Sequence, residues 1–157
     1  MNLFAISEIY HQIFSPHKKE DIFWGQLTFI DGTNIDEDYW ETTHIFPPTG
    51  DIVQLFISAD DNGPSKNQND FYAQIRENYN KLEKKLKPYI YPKWQNVNPT
   101  KQKPRKFTDE FRVASVSIPP TDQPRWEITY LSKSDCGYIY TAILEDDKPL
   151  KVSRHTY

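Results

Sequence analysis

Residues 65–88 read SKNQNDFYAQIRENYNKLEKKLKP, and this stretch decides the fold. Its apolar side chains Phe71, Ile75, Tyr79, Leu82 and Leu86 are spaced by four, four, three and four residues. That spacing sets them on one stripe of a 3.6-residue helix. Ser65 with Gln68 three residues later has the form of a capping box, in which hydroxyl and amide satisfy first-turn N–H groups. Asn69 is a competing cap for a later start. Lys84, Lys85 and Lys87 suit the negative end of the helix dipole. Pro88 disfavours helical geometry at Lys87, so the spacing predicts one long helix over residues 66–87.

Strand signals surround this helix. Residues 22–30 (IFWGQLTFI) are aromatic-rich and close on Asp31-Gly32, a turn signal. Residues 40–46 end at Pro47-Pro48, and residues 51–58 run from Thr49-Gly50 to the polar stretch 59–64. Beyond the helix, 111–118 and 125–131 alternate apolar and polar side chains, 138–144 comes next as a strand, and 150–152 can pair back across Glu145-Asp146-Asp147-Lys148. The last three strands read as a meander. Residues 88–106 carry Pro88, Pro92, Pro99 and Pro104 and read as an irregular basic connection, long enough to be mobile or a working surface. Strands, one long helix, then strands again predict an α+β fold: a twisted antiparallel sheet of six or seven strands with the helix on one face. No second-domain boundary or internal repeat is visible, so residues 1–157 read as a single domain.

Size and composition agree with this. The chain has 157 residues, of which 37% are hydrophobic. That is below the usual share, but Phe 9, Tyr 10 and Trp 4 supply side chains that bury about 150–250 Å² each. No apolar run reaches the roughly 18–20 residues that span a bilayer. The start, Met1 to Glu8, lacks a basic leader, and a cytoplasmic protein is expected. With one cysteine, Cys136, an internal disulfide and a Cys-rich zinc site are excluded.

The net charge of −3 hides a segregation. Residues 1–60 carry −8, residues 61–106 carry +7 and residues 107–157 carry −2. Such asymmetry bears on partners and association rates, not on fold.

Motifs for chemistry are absent. His11, His17, His44 and His155 show no metal-ligand spacing, and Asp36-Glu37-Asp38 lacks the alternating oxygen ligands of a calcium loop. Cys136 sits in a turn between Asp135 and Gly137 without basic neighbours. There is no nucleophile elbow, phosphate loop or dinucleotide fingerprint. No metal and no cofactor are expected. An enzyme would need a carboxylate pair assembled in space, for which spacing selects no residues.

Phe23-Trp24-Gly25 at a strand start, the apolar strand 52–58 and Gly63-Pro64-Ser65-Lys66-Asn67-Gln68 opening a helix with Ile75, Asn78, Tyr79 and Leu82 resemble small bacterial domains of unknown function. The resemblance covers about residues 20–150, with the meander Trp126 to Val152 where their last strands fall. Some such domains look like immunity proteins of toxin systems. The resemblance implies an N-terminal strand, so residues 3–14 are read as a strand, although Leu3, Ile6, Tyr10, Ile13 and Phe14 also fit a helix. It carries no catalytic residue.

The expected function is therefore a non-enzymatic interaction module, an immunity protein among the options, with a basic toxin as the type of partner. Its contact residues are Asp31, Asp36, Glu37, Asp38, Tyr39, Trp40, Glu41, Asp60 and Asp61: aromatics supply contact area and carboxylates raise the association rate. Trp40 has two readings, an exposed contact beside the acids or a core residue of its strand. The alternative is a nucleic-acid patch of Tyr89, Tyr91, Lys93, Trp94, Lys101, Lys103, Arg105 and Lys106. Against it, the three aromatics also suit a role holding the connection to the core, with the lysines left wet. The oligomeric state is not readable.

Overall fold

The computed structural model describes residues 17–32 and 37–156. The strand expected at 3–14 and the acid Asp36 lie outside these residues. Eight strands form one sheet whose spatial order follows the chain: β1 (Lys18–Asp21), β2 (Gly25–Ile30), β3 (Tyr39–Phe46), β4 (Asp51–Ser58), β5 (Phe111–Ile118), β6 (Arg125–Ser132), β7 (Tyr138–Glu145) and β8 (Lys148–Thr156). Helix α1 (Lys66–Val97) crosses from β4 to β5, and the single turn α2 (Phe107–Glu110) precedes β5.

Three expectations need correction. Among the described residues there are eight strands rather than six or seven. The extra one, β1, is Lys18-Lys19-Glu20-Asp21, whose four charged residues give no alternating apolar signal. Such a composition suits a short edge strand, where charge discourages further pairing. The sheet is also not wholly antiparallel: β4 and β5 pair in parallel, from Gln54↔Ser115 to Ile57↔Ile118. A helix spanning the sheet returns the chain to the starting end of β4, so β5 must run the same way.

The third correction concerns the helix end. α1 has 32 residues and runs through Pro88 and Pro92 to Val97, with Asn98 as its C-cap. The irregular connection is therefore confined to residues after the helix. A proline inside a helix costs about 3 kcal/mol, chiefly through a lost bond to the carbonyl four residues earlier. Both prolines and Lys84 are exposed, so the carbonyls of Lys84 and Pro88 that lose their N–H partners are on the side open to solvent. Ile90, Tyr91 and Trp94 on the opposite side are buried. At about 25 cal/mol per Å², each of those aromatics contributes about 4–6 kcal/mol, and burial wins.

The capping box forms as expected. Ser65 Oγ accepts from the Gln68 N–H at 3.3 Å, and Gln68 Oε1 accepts from the Ser65 N–H at 3.0 Å. Gln68 Nε2 also donates to the carbonyls of Ser58 (2.8 Å) and Pro119 (2.9 Å). One buried amide thus ties the helix start to the ends of both parallel strands. Behind it, Tyr72, Ile75, Tyr79, Leu82, Leu86, Ile90 and Trp94 face Phe46, Val53, Leu55, Val116, Ile128, Tyr130 and Ala142 in one core. Phe71 sits at the flank of the stripe, edge-on to Trp126 at 5.6 Å.

At the end where α1 finishes, Glu110 is a buried carboxylate. It accepts from Trp94 Nε1 (3.2 Å), the Ser132 hydroxyl (2.5 Å), the Ser134 N–H (2.8 Å) and the Ser134 hydroxyl (2.7 Å). Burial pushes its carboxyl up, but these four donors together hold it below the usual value. The last turn of α1, the α2 turn and the β6–β7 connection meet there.

Candidate functional site

Strand direction decides where the expected contact residues go. β2, β4, β5 and β7 finish at the same end of the sheet at which β1, β3, β6 and β8 begin, as the registers Ile30↔Tyr39↔Ser58 and Ile57↔Ile118 require. The β2–β3 loop and the β4–α1 loop therefore stand side by side on one rim. Asp31, Glu37 and Asp38 come from the first loop, and Asp60 and Asp61 from the second. Asp122, in the next loop along this rim, adds another exposed acid.

The rim is built, not merely populated. Trp40 Nε1 donates to the Asp60 carbonyl at 2.8 Å and pins the second loop to β3. Asp38 Oδ1 accepts from the Gly32 N–H at 2.9 Å, closing the first. A Cβ on Gly32 would lie 2.5 Å from Glu37 Cβ and 2.8 Å from its carbonyl carbon, so the loop in this shape requires glycine there. Asp60 Oδ1 accepts from the Asn62 N–H at 3.0 Å, and Lys19 Nζ donates to the Asn62 carbonyl at 2.8 Å. Among the described residues, Asp31, Asp38, Asp60 and Asp61 take part in no ion pair. Their charges face water, and one consequence is a local field that attracts cations.

Trp40 is fully buried, with its ring 5.0 Å from Phe29 and 5.5 Å from His17. Of its two readings the core one is right, and its place among exposed contact residues is withdrawn. In β3 it shares a face with Thr42 and Phe46, pointing under the helix. Tyr39 and Glu41 point to the other face of the sheet. Tyr39 is half-buried, 5.9 Å from Phe56, and burial, then the neighbouring Glu41 carboxylate, raise its hydroxyl pKa.

The basic residues of the expected nucleic-acid patch lie at the opposite end. Lys101, Lys103, Arg105 and Lys106 are exposed in the segment between α1 and α2, and Lys93 is exposed in the last turns of α1. Gln95 Nε2 donates to the carbonyls of Asn98 and Lys101, both at 2.9 Å, which shapes the segment. The aromatics expected to stack on bases do not accompany them. Trp94 and Tyr91 are core residues, Tyr91 packing on Phe107 and Phe111. Lys103 Nζ lies over the Tyr91 ring, 4.9 Å from its centroid. Tyr89 alone is exposed. A cationic surface without a stacking platform lacks half of what single-strand binding uses.

Depressions mark the surface of the described residues. One of about 450 Å³ lies between α1 and the β7–β8 turn, with Phe71, Ile75, Leu82 and Trp126 as its floor. Its acids are the sequence neighbours Asp146 and Asp147, the latter paired with Lys85. A shallow one flanks Pro47, Pro48 and Arg76. The third, of about 460 Å³, opens where β2 and β3 part, and it was not foreseen. Nothing in the amino-acid order marks it, because it arises from a strand pair that stops after three registered residues. Among the described residues, no group of three or more His, Cys, Asp or Glu comes together so as to hold a metal ion. No described helix is long and apolar enough to cross a membrane.

Comparison with family models, with curated proteins and with solved structures finds no match for this chain.

Proposed function

We propose that the protein is a non-enzymatic interaction module that binds a basic protein through its acidic rim, in the manner of an immunity protein covering the cationic cleft of a toxin. The observation that carries this reading is the meeting of the β2–β3 and β4–α1 loops, which sets Asp31, Glu37, Asp38, Asp60 and Asp61 on one edge. Acids 29 residues apart in sequence, such as Asp31 and Asp60, thereby act as one surface. Charged loops held on a packed sheet favour fast, specific association, because little ordering is needed on binding.

The burial of Trp40 changes the expected energetics. The rim offers carboxylates and half-buried Tyr39 rather than a large aromatic contact, so charge complementarity carries more of the recognition. Binding of a basic polypeptide should therefore weaken steeply with added salt. Replacing Asp31, Asp38, Asp60 and Asp61 together by Asn tests this, since Asn keeps a side-chain oxygen for the loop hydrogen bonds while removing the charge. Nucleic acid is the weaker alternative, because among the described residues of the expected patch Tyr89 is the one exposed aromatic.

A further inference from the structure

Below the acidic rim, β2 and β3 pair only at Thr28↔Glu41, Phe29↔Trp40 and Ile30↔Tyr39, and then part. β3 continues in full register with β4 down to Phe46↔Asp51, and β2 stays with β1 down to Asp21↔Gly25. The result is a gap in the sheet. Trp24 fills its inner side: the Trp24 carbonyl accepts from Thr42 Oγ1 at 3.3 Å and from His44 Nε2 at 2.7 Å. Because a carbonyl can only accept, His44 carries a proton on Nε2. A cavity of about 460 Å³ opens from this gap on the side facing away from α1.

The outer lining is polar: Gln26, Thr28, Glu41, Thr43 and Gln54 each carry a side-chain oxygen able to accept a hydrogen bond. Gln26 Nε2 donates to Glu20 Oε1 at 3.3 Å, which orients that amide and leaves its oxygen as an acceptor. Glu41 takes a hydrogen bond from Tyr39 and makes no ion pair among the described residues, so most of its acceptor capacity is open. Glu41 is the one formally charged residue of the lining, and Glu20 adds a second carboxylate through Gln26. Lys18 is opposite Thr28 in the neighbouring strand and does not line the cavity.

Resting on the reading of the rim as a surface for a basic protein, we infer that this cavity receives the guanidinium group of an arginine from that partner. A guanidinium carries five donors in a plane and no acceptor, the complement of a carboxylate surrounded by amide and hydroxyl oxygens. An ammonium offers three donors from a point and leaves more of these oxygens unpaired. A neutral polyol would gain nothing from Glu41. The cavity begins at Thr28↔Glu41, two residue pairs below Ile30↔Tyr39 at the rim, a drop of about 7 Å at 3.3–3.4 Å per residue, which is about the length of an extended arginine side chain.

The test is an amide NMR titration of the full chain with Nα-acetyl-L-arginine methylamide, and with the citrulline analogue, which has the same shape and no charge. The expected result is saturable shifts at Gln26, Thr43 and Gln54, with the citrulline analogue at least about tenfold weaker, the size expected for charge-assisted hydrogen bonds. Glu41→Gln, isosteric and on the outer face, should weaken the arginine probe by about tenfold and leave the spectrum dispersed; Thr28→Val should weaken it less. The Asn-substituted rim should still bind the probe. Absence of shifts at these residues, equal binding of the citrulline analogue, or indifference to Glu41→Gln overturns the inference. Failure of the rim reading is distinguishable, since it shows as salt-independent binding of a basic polypeptide whatever the small probe does.

Discussion

The indole nitrogen of Trp40 donates to the main-chain carbonyl of Asp60 at 2.8 Å, across 20 residues of chain. A buried side chain thereby fixes a loop whose carboxylates are exposed. The aromatic at this position serves the rim from beneath.

Trp40→Phe keeps the ring and removes the donor. It should lower the unfolding free energy by about 1 kcal/mol, the usual worth of one hydrogen bond, plus a smaller packing loss. Trp40→Ala should cost about 3–5 kcal/mol as a large core truncation. Urea unfolding measures both. An unchanged midpoint for Trp40→Phe would show that the bond does not hold the loop.

Glu110 makes acid stability predictable. Its carboxyl is held below the ordinary value in the fold, so the unfolded chain takes up the proton first as pH falls. Its contribution is therefore complete above the ordinary carboxyl range and disappears as pH falls through the lower value of the folded state. Ser134→Ala removes one donor, raises the folded value and should cost about 1–3 kcal/mol at neutral pH. Unfolding free energies from about pH 3 to pH 7 should show that cost shrinking toward acid. A cost independent of pH would contradict the assignment.

The prolines in α1 offer a test with opposite signs on two sides of one helix. Pro88→Ala and Pro92→Ala restore a missing main-chain bond on the wet side and should each raise stability by about 1–2 kcal/mol, after allowing for the freer unfolded chain. Ile90→Ala on the dry side should lower it by about 2–5 kcal/mol. Thermal melts settle both. Destabilisation by either proline replacement would mean that the helix is shaped by the missing bonds rather than merely tolerating them.

These elements also show what the sequence could and could not disclose. The helix start was legible because Ser65 and Gln68 act locally, through bonds spanning three residues. Its end was not, because the local rule at Pro88 is overridden by Ile90, Tyr91 and Trp94, whose burial depends on distant strands. The seven strands with apolar or aromatic side chains were visible, whereas β1 announces itself only by pairing with β2. For the site, the acids were visible as residues, and their convergence follows only once the antiparallel registers Ile30↔Tyr39 and Tyr39↔Ser58 fix which loops share an end. Trp40 was ambiguous for the same reason: an aromatic at a strand start faces either way until the register is known. The cavity between β2 and β3 had no signal at all, since it results from pairs that do not form.

The most direct test of the central claim is to measure association of a lysine- and arginine-rich polypeptide with the protein as ionic strength rises from about 0.01 M to 0.15 M, where the screening length falls from about 30 Å to 8 Å. The wild-type chain should associate markedly more slowly at the upper value, and the Asn-substituted rim should be slow throughout, with Lys101→Gln and Lys103→Gln leaving the wild-type behaviour intact. Association that ignores both salt and the four rim substitutions would contradict the account.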